Sequence, residues 1–145
     1  MIPLYVLVIG TALARLTGWL GVDALDGWQP ALRVGLALMF VLTGLAHFGG
    51  RRKELIEMVP PRLPRPDLLV TLTGVLELAG AVGLLIPATA TAAAICLALL
   101  MLAMFPANVR AARAQLTLGG KPATPLGLRS VLQVIFVAAA VAAAV

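Results

Sequence analysis

Residues 68–105 read LLVTLTGVLELAGAVGLLIPATATAAAICLALLMLAMF and contain one charged side chain, Glu77. The run is long enough for two crossings of hydrocarbon at about 20 residues each. It is interrupted at Ile86-Pro87-Ala88, where proline cannot continue a helix. Alanine and leucine dominate both halves, and no period-two alternation competes with a helical reading. The stretch therefore reads as an antiparallel helical hairpin inside a membrane, with almost no loop at its turn.

The rest of the chain agrees. Its 145 residues are 61% hydrophobic and 12% charged, with a mean hydropathy of +1.05. Soluble domains carry about 45–50% apolar and about 25% charged residues. That contrast excludes a water-soluble globule, and it also excludes intrinsic disorder. Apolar stretches at 2–20, 31–48 and 126–145 join 68–87 and 88–105 to give five spans. The expected fold is all-α: one polytopic transmembrane helical bundle over residues 1–145. The first stretch has no basic residue before it and holds Arg15 within it, which argues for a retained helix over a cleaved signal. Residues 53–59 read as a short amphipathic segment lying on the membrane surface, stopped by Pro60-Pro61. Asp67 is expected to cap the third span.

Charge orders the connections. Residues 21–30 carry Asp23 and Asp26 and no base. Residues 49–66 carry Arg51, Arg52, Lys53, Arg62 and Arg65 against Glu54 and Glu57, and 108–125 carry Arg110, Arg113 and Lys121 with no acid. Five spans put the two basic connections on one side, which the positive-inside rule makes cytoplasmic together with the N-terminus. The C-terminus then falls outside. The overall excess of 11 Lys+Arg over 6 Asp+Glu fits lipid headgroups, so the bilayer and not nucleic acid is the expected partner. A single cysteine, Cys96, leaves no internal disulfide, redox pair or cysteine metal site, and reads as a small apolar core residue. A single histidine makes a haem or metal site within one chain unexpected.

Polar groups at membrane depth each need a reason, since a charge there costs about 2.5–3.5 kcal/mol on insertion scales. Glu77 falls in the middle of its span and must be protonated, paired or beside a water-filled cavity. Thr73 lies one turn away on the same face. Arg15 either snorkels outward or approaches Glu77 as a charge pair. His47, in Thr43-Gly44-Leu45-Ala46-His47-Phe48, sits near the cytoplasmic end of the second span. Asn108 falls at the same level beyond Pro106, and Gln133 a few turns deeper. Depth alone suggests a polar cavity open to the cytoplasm, lined by His47, Asn108, Thr73 and Gln133, with Glu77 at its base. Gly74, Gly80 and Gly83 mark the third span as a central, closely packed helix.

Three motifs carry a resemblance: Thr43-Gly44-x-x-His47-Phe48, then Thr73-Gly74-x-x-Glu77-Leu78-x-Gly80-x-x-Gly83-Leu84-Leu85, then Met104-Phe105-Pro106-Ala107-Asn108-Val109. In order and spacing they resemble the DoxX family of small bacterial membrane proteins, over roughly residues 31–143. The resemblance implies a four-helix core in the bacterial cytoplasmic membrane, with 2–20 as an additional helix. It also implies a quinone-proximal or redox-supporting role, because founding members are named as subunits of quinone-linked sulfur-oxidising complexes. His47, Glu77 and Asn108 match its motif positions. The methylamine-utilisation relatives carry a cysteine pair that Cys96 alone does not match.

The expected function is a redox-associated accessory subunit. It binds a quinone or other lipid-soluble ligand through Thr43, His47, Thr73, Glu77, Asn108 and Gln133, with Glu77 and His47 handling the proton. A soluble or membrane redox partner would supply electrons, and the chain could self-associate. Two other classes stay open: a small proton-coupled transporter using Glu77, and a scaffold that anchors a soluble partner through Arg51, Arg52 and Lys53.

Overall fold

The computed structural model describes all 145 residues. Five helices are long and apolar enough to cross a membrane: α1 (Ile2–Trp19), α2 (Trp28–Ala46), α4 (Pro66–Leu85), α5 (Ala90–Arg113) and α6 (Leu126–Ala144). A short helix α3 (Arg52–Met58) and a two-stranded hairpin, β1 (Thr117–Leu118) with β2 (Lys121–Pro122), fill the two basic connections. The protein is an all-α helical bundle and a multi-pass membrane protein.

Helix α2 packs on α4, α4 on α5, α5 on α6, and α6 back on α2, so these four close a ring. Helix α1 packs on α2 outside that ring. The core is small and apolar: Leu36, Met39 and Phe40 of α2, Ala81 and Leu84 of α4, Leu97 and Met101 of α5, and Ala140 and Ala143 of α6. Large apolar side chains turn outward on every long helix, among them Val8, Leu13, Leu45, Leu76, Leu99 and Val134. Facing lipid, that surface costs nothing; in water it would be a large aggregating patch.

The two ends differ. At one end the C-terminal carbonyls of α6 are tied down. Arg33 donates to the Ala143 carbonyl at 2.9 Å, and Thr91 to the Ala144 carbonyl at 3.2 Å. Orphan carbonyls at a helix end thereby find partners that lipid cannot supply. The acidic connection and the tight α4–α5 turn share this end. In that turn the Thr89 hydroxyl donates back to the Gly83 carbonyl at 2.9 Å. The opposite end gathers both basic connections and the start of α1, since Met1 and Pro3 lie against the same cavity as Arg51 and Thr124.

Local details differ from the sequence reading in four places. Asp67 does not cap α4: the chain enters through Arg65 in the left-handed region (φ 51°), and Pro66 takes the first helical position. Proline's fixed φ and missing N–H suit that position, and Asp67 falls in the first turn, where a negative charge favours the helix dipole. Helix α5 does not end near residue 105 but runs through Pro106 to Arg113. Arg110 and Arg113 in its last turn favour that dipole, and Arg110 also donates to the Glu57 carbonyl at 2.9 Å. Cys96 is exposed on the outer face of α5, not in the core. The apolar side of α3, which the sequence reading turned to the membrane surface, brings Leu55 and Met58 toward the bundle and covers the cavity there.

The hairpin carries a sequence signal that the apolar pattern hides. Gly119 and Gly120 both have positive φ, 61° and 74°, as a two-residue turn matched to twisted strands requires. Both Glu54 carboxylate oxygens accept from the Gly119 N–H, at 2.8 and 2.9 Å, and the Arg51 guanidinium lies against Gly119. Glutamine at position 54 keeps one acceptor and loses the charge. Hydrogen exchange at 117–122 is expected to rise severalfold in Glu54→Gln while α2 and α4 stay as protected as before. Unchanged exchange would mean that Glu54 does not hold the hairpin.

Candidate functional site

Two ionisable side chains are buried in the whole chain, His47 at 7% exposure and Glu77 at 3%. They face each other across the α2–α4 crossing, with His47 Nε2 at 4.0 Å from Glu77 Oε1. Glycine makes the crossing close. A Cβ built on Gly44 would fall 2.9 Å from Leu78, and one built on Gly74 would fall 2.5 Å from the His47 Cβ. Gly74 is thus the space in which the histidine sits.

Hydrogen bonds fix the chemistry of the pair. His47 Nδ1 lies 2.9 Å from the Thr43 carbonyl, which can only accept, so Nδ1 carries a proton. In the neutral ring Nε2 is then a bare acceptor turned toward Glu77. The other carboxyl oxygen, Oε2, lies 2.5 Å from the Thr43 hydroxyl, which is also 3.4 Å from the Phe40 carbonyl. Thr43 can therefore donate to a carboxylate. It can equally accept from a carboxylic acid while donating its own O–H to the Phe40 carbonyl. One side chain serves both protonation states of Glu77, and the Nε2 lone pair stands 4.0 Å from the other carboxyl oxygen.

Arg52 holds the frame of this pair. It donates to the His47 carbonyl at 3.0 Å, and to the Asp67 carbonyl and Thr71 hydroxyl at 3.1 and 2.9 Å. The C-terminus of α2 is thereby capped by a cation and tied to the start of α4.

The pair opens into a cavity of ≈ 540 Å³ at the basic end of the bundle. All six side chains expected to bind ligand line it: Thr43, His47, Thr73, Glu77, Asn108 and Gln133. They fall on two facing walls of the four-helix ring, the first four on α2 and α4, the last two on α5 and α6. Thr73 spends its hydroxyl on the Leu69 and Val70 carbonyls, leaving an acceptor toward the cavity. Gln133 donates to the Met101 carbonyl at 2.8 Å, which leaves its side-chain oxygen. Between the walls the lining is apolar, with Met39, Phe40, Leu100, Met104 and Phe136.

Sequence reasoning missed Arg129. Its guanidinium donates to Asn108 at 2.7 Å and to the Thr124 carbonyl at 3.1 Å, and it too lines the cavity. It places a strong donor on the wall opposite the acid. The signal was available, since Arg129 is a cation four residues from Gln133 and hence on the same helix face.

Of the two readings of Arg15, the pairing with Glu77 does not form. Arg15 bonds Asp26 at 2.7 Å instead, near the other end of the bundle. Helix α1 lies outside the ring, against α2, and its direction carries Arg15 toward the acidic connection, away from the α2–α4 crossing. No group of three His, Cys, Asp or Glu side chains is placed to share a metal ion.

The family model described as a domain of unknown function, DUF8561, matches residues 36–144. The chain belongs to the DUF8561 family. The match takes in most of α2 and all of α4, α5 and α6, so every polar cavity residue named above falls within the DUF8561 region. Helix α1 precedes it. No curated protein and no solved structure matches the chain.

Proposed function

We propose that this DUF8561 protein is a DoxX-like accessory subunit of a redox system in the bacterial cytoplasmic membrane, with its basic end cytoplasmic. It binds a quinone or a similar lipid-soluble ligand in the cavity. The observation that carries the reading is the buried His47–Glu77 pair: the only two buried ionisable groups of the chain meet at one apolar-walled cavity. Burying such groups is costly, and intramembrane acids of this kind mark proton or ligand sites. The motif resemblance supports the choice of quinone.

The residues fit such a ligand. Small-molecule sites occupy about 300–1,000 Å³, with apolar walls and a few convergent polar groups, and this cavity has that character. A bound quinone supplies electron transfer coupled to proton uptake. On the α5–α6 wall, Arg129 and Asn108 orient a carbonyl oxygen by donating to it. On the α2–α4 wall, Glu77 and His47 hold the proton beside the opposite edge of the ring, with Thr43 adapting to either state of the acid. Electrons come from a partner subunit.

The test is direct. The protein is purified in native lipid discs, extracted, and assayed for quinone by mass spectrometry. Quinone near one per chain is expected in the wild type, and a loss of tenfold or more in His47→Ala. Absence of quinone from every preparation overturns the reading and moves proton-coupled transport and scaffolding ahead of it.

A further inference from the structure

A second cleft lies at the acidic end of the protein, between α1 and α2, away from the His47–Glu77 cavity. Its volume is ≈ 520 Å³ and its lining is almost wholly apolar, with Leu7, Val8, Ala12, Leu16 and Leu32 along it and Arg15 among them. Trp19 and Trp28 flank the arginine, whose Cζ is 5.0 and 5.7 Å from the two ring centroids. Both indoles are exposed, at 64% and 68%, as at the level of lipid headgroups.

The polar bonding of this cleft is incomplete. Arg15 Nη1 donates to Asp26 Oδ1, and the guanidinium makes no other hydrogen bond. Its Nε is the single buried side-chain nitrogen or oxygen of the chain without a partner. Such an atom in a native structure asks for an explanation. Asp26 is 58% exposed and its second oxygen is unused, and Asp23 precedes it on the same connection. No other base occurs between residues 16 and 32.

We propose that this cleft binds a phospholipid with a primary-ammonium head group, of the phosphatidylethanolamine type. One acyl chain lies in the apolar cleft. The phosphate accepts from the free N–H groups of Arg15, which bind such an oxyanion through parallel donors. The ammonium donates to Asp26 and Asp23. The headgroup thus carries the complement of the Arg–Asp pair, anion against cation and cation against anion. A phosphatidylglycerol head offers no cation to the two acids, and a choline head has no N–H to donate. The site rests on α1 and the first turns of α2, which precede the DUF8561 match at residue 36. It is therefore separate from the proposed quinone site, and its test is independent of that reading.

The full-length protein is placed in discs made of equal parts phosphatidylethanolamine, phosphatidylglycerol and phosphatidylcholine with identical acyl chains. It is then released, and its retained lipids are counted by native mass spectrometry. One phosphatidylethanolamine per chain is expected, favoured about tenfold over the other two, a ratio worth one decade of affinity. Arg15→Gln and Asp26→Asn are expected to abolish the preference. Ala12→Phe fills the cleft from an exposed position and leaves both head-group partners in place, so it serves even if Arg15→Gln fails to fold; it should lower retention. Equal retention of the three lipids by the wild type, a preference for phosphatidylglycerol, or full phosphatidylethanolamine retention in Ala12→Phe would overturn the proposal.

Discussion

Glu77→Gln is expected to keep the bundle and lose the ligand. Glutamine has nearly the same shape, and its carbonyl oxygen can accept from the Thr43 hydroxyl now 2.5 Å from Oε2. Its amide N–H₂ then faces His47 Nε2, which is an acceptor because Nδ1 is committed to the Thr43 carbonyl. Thr43 keeps its acceptor, and His47 Nε2, 4.0 Å away, loses no hydrogen bond, so stability should move by less than about 1 kcal/mol. What disappears is the exchangeable proton. Quinone retention should fall about tenfold to a hundredfold, the range of a charge-assisted hydrogen bond at about 1.5–3 kcal/mol. Glu77→Leu separates the two effects. It leaves the Thr43 hydroxyl without its side-chain partner, and it should cost about 1–3 kcal/mol of stability besides the ligand. Retention at wild-type level in a well-folded Glu77→Gln protein would remove Glu77 from the site.

The contrast between what the sequence discloses and what it hides follows from depth and facing. Depth along a span is legible, because each residue advances a helix by about 1.5 Å. Glu77, Thr73, His47, Asn108 and Gln133 could be assigned to one level range on that basis, and they line one cavity. Facing is not legible when every face is apolar. Leu76 and Glu77 differ by one position, yet one is 46% exposed and the other 3%. The Arg15–Glu77 pairing failed as well. Depth alone allowed it, but α1 brings only its first residues to the cavity, and Arg15 falls near its other end, bonded to Asp26. Polar detail at the bundle end was hidden differently. Arg52 and Glu54 read as charges of a headgroup-facing loop and Arg129 drew no reading, whereas they cap α2, hold the hairpin and orient Asn108. Charge counts distinguish the two ends of a membrane protein. They do not show which of those charges turn inward to backbone carbonyls left unpaired at helix ends.

These end contacts bear on how the site is kept in shape. Without a hydrophobic driving force between helices in lipid, close packing of small residues and interhelical hydrogen bonds must hold the bundle. Here the two devices meet at one place. The glycines of α2 and α4 bring the helices together, and Arg52 pins the end of one to the start of the other. The His47–Glu77 distance is set by that clamp, since neither residue touches the other directly.

The steric half of the clamp gives the second large effect. A Cβ on Gly74 would sit 2.5 Å from the His47 Cβ and 2.9 Å from both the His47 Cγ and the Phe48 Cε2. The first of these atoms is fixed to the α2 backbone and cannot rotate away. Gly74→Val must therefore push α2 off α4, and overpacking of this kind costs about 1–3 kcal/mol. The same shift widens the gap between His47 and Glu77, so ligand retention should fall with stability. Gly50→Ala is the matched control, because a Cβ there has nothing within 4 Å, and it should leave both unchanged. The decisive comparison is Gly74→Ala alone and in a His47→Gly background. Removing the His47 side chain removes the nearest clash, so the cost of Gly74→Ala should shrink by at least half, a coupling that distant residues do not show. An equal cost in the two backgrounds, by chemical unfolding in mixed micelles, would mean that Gly74 serves something other than the seat of His47.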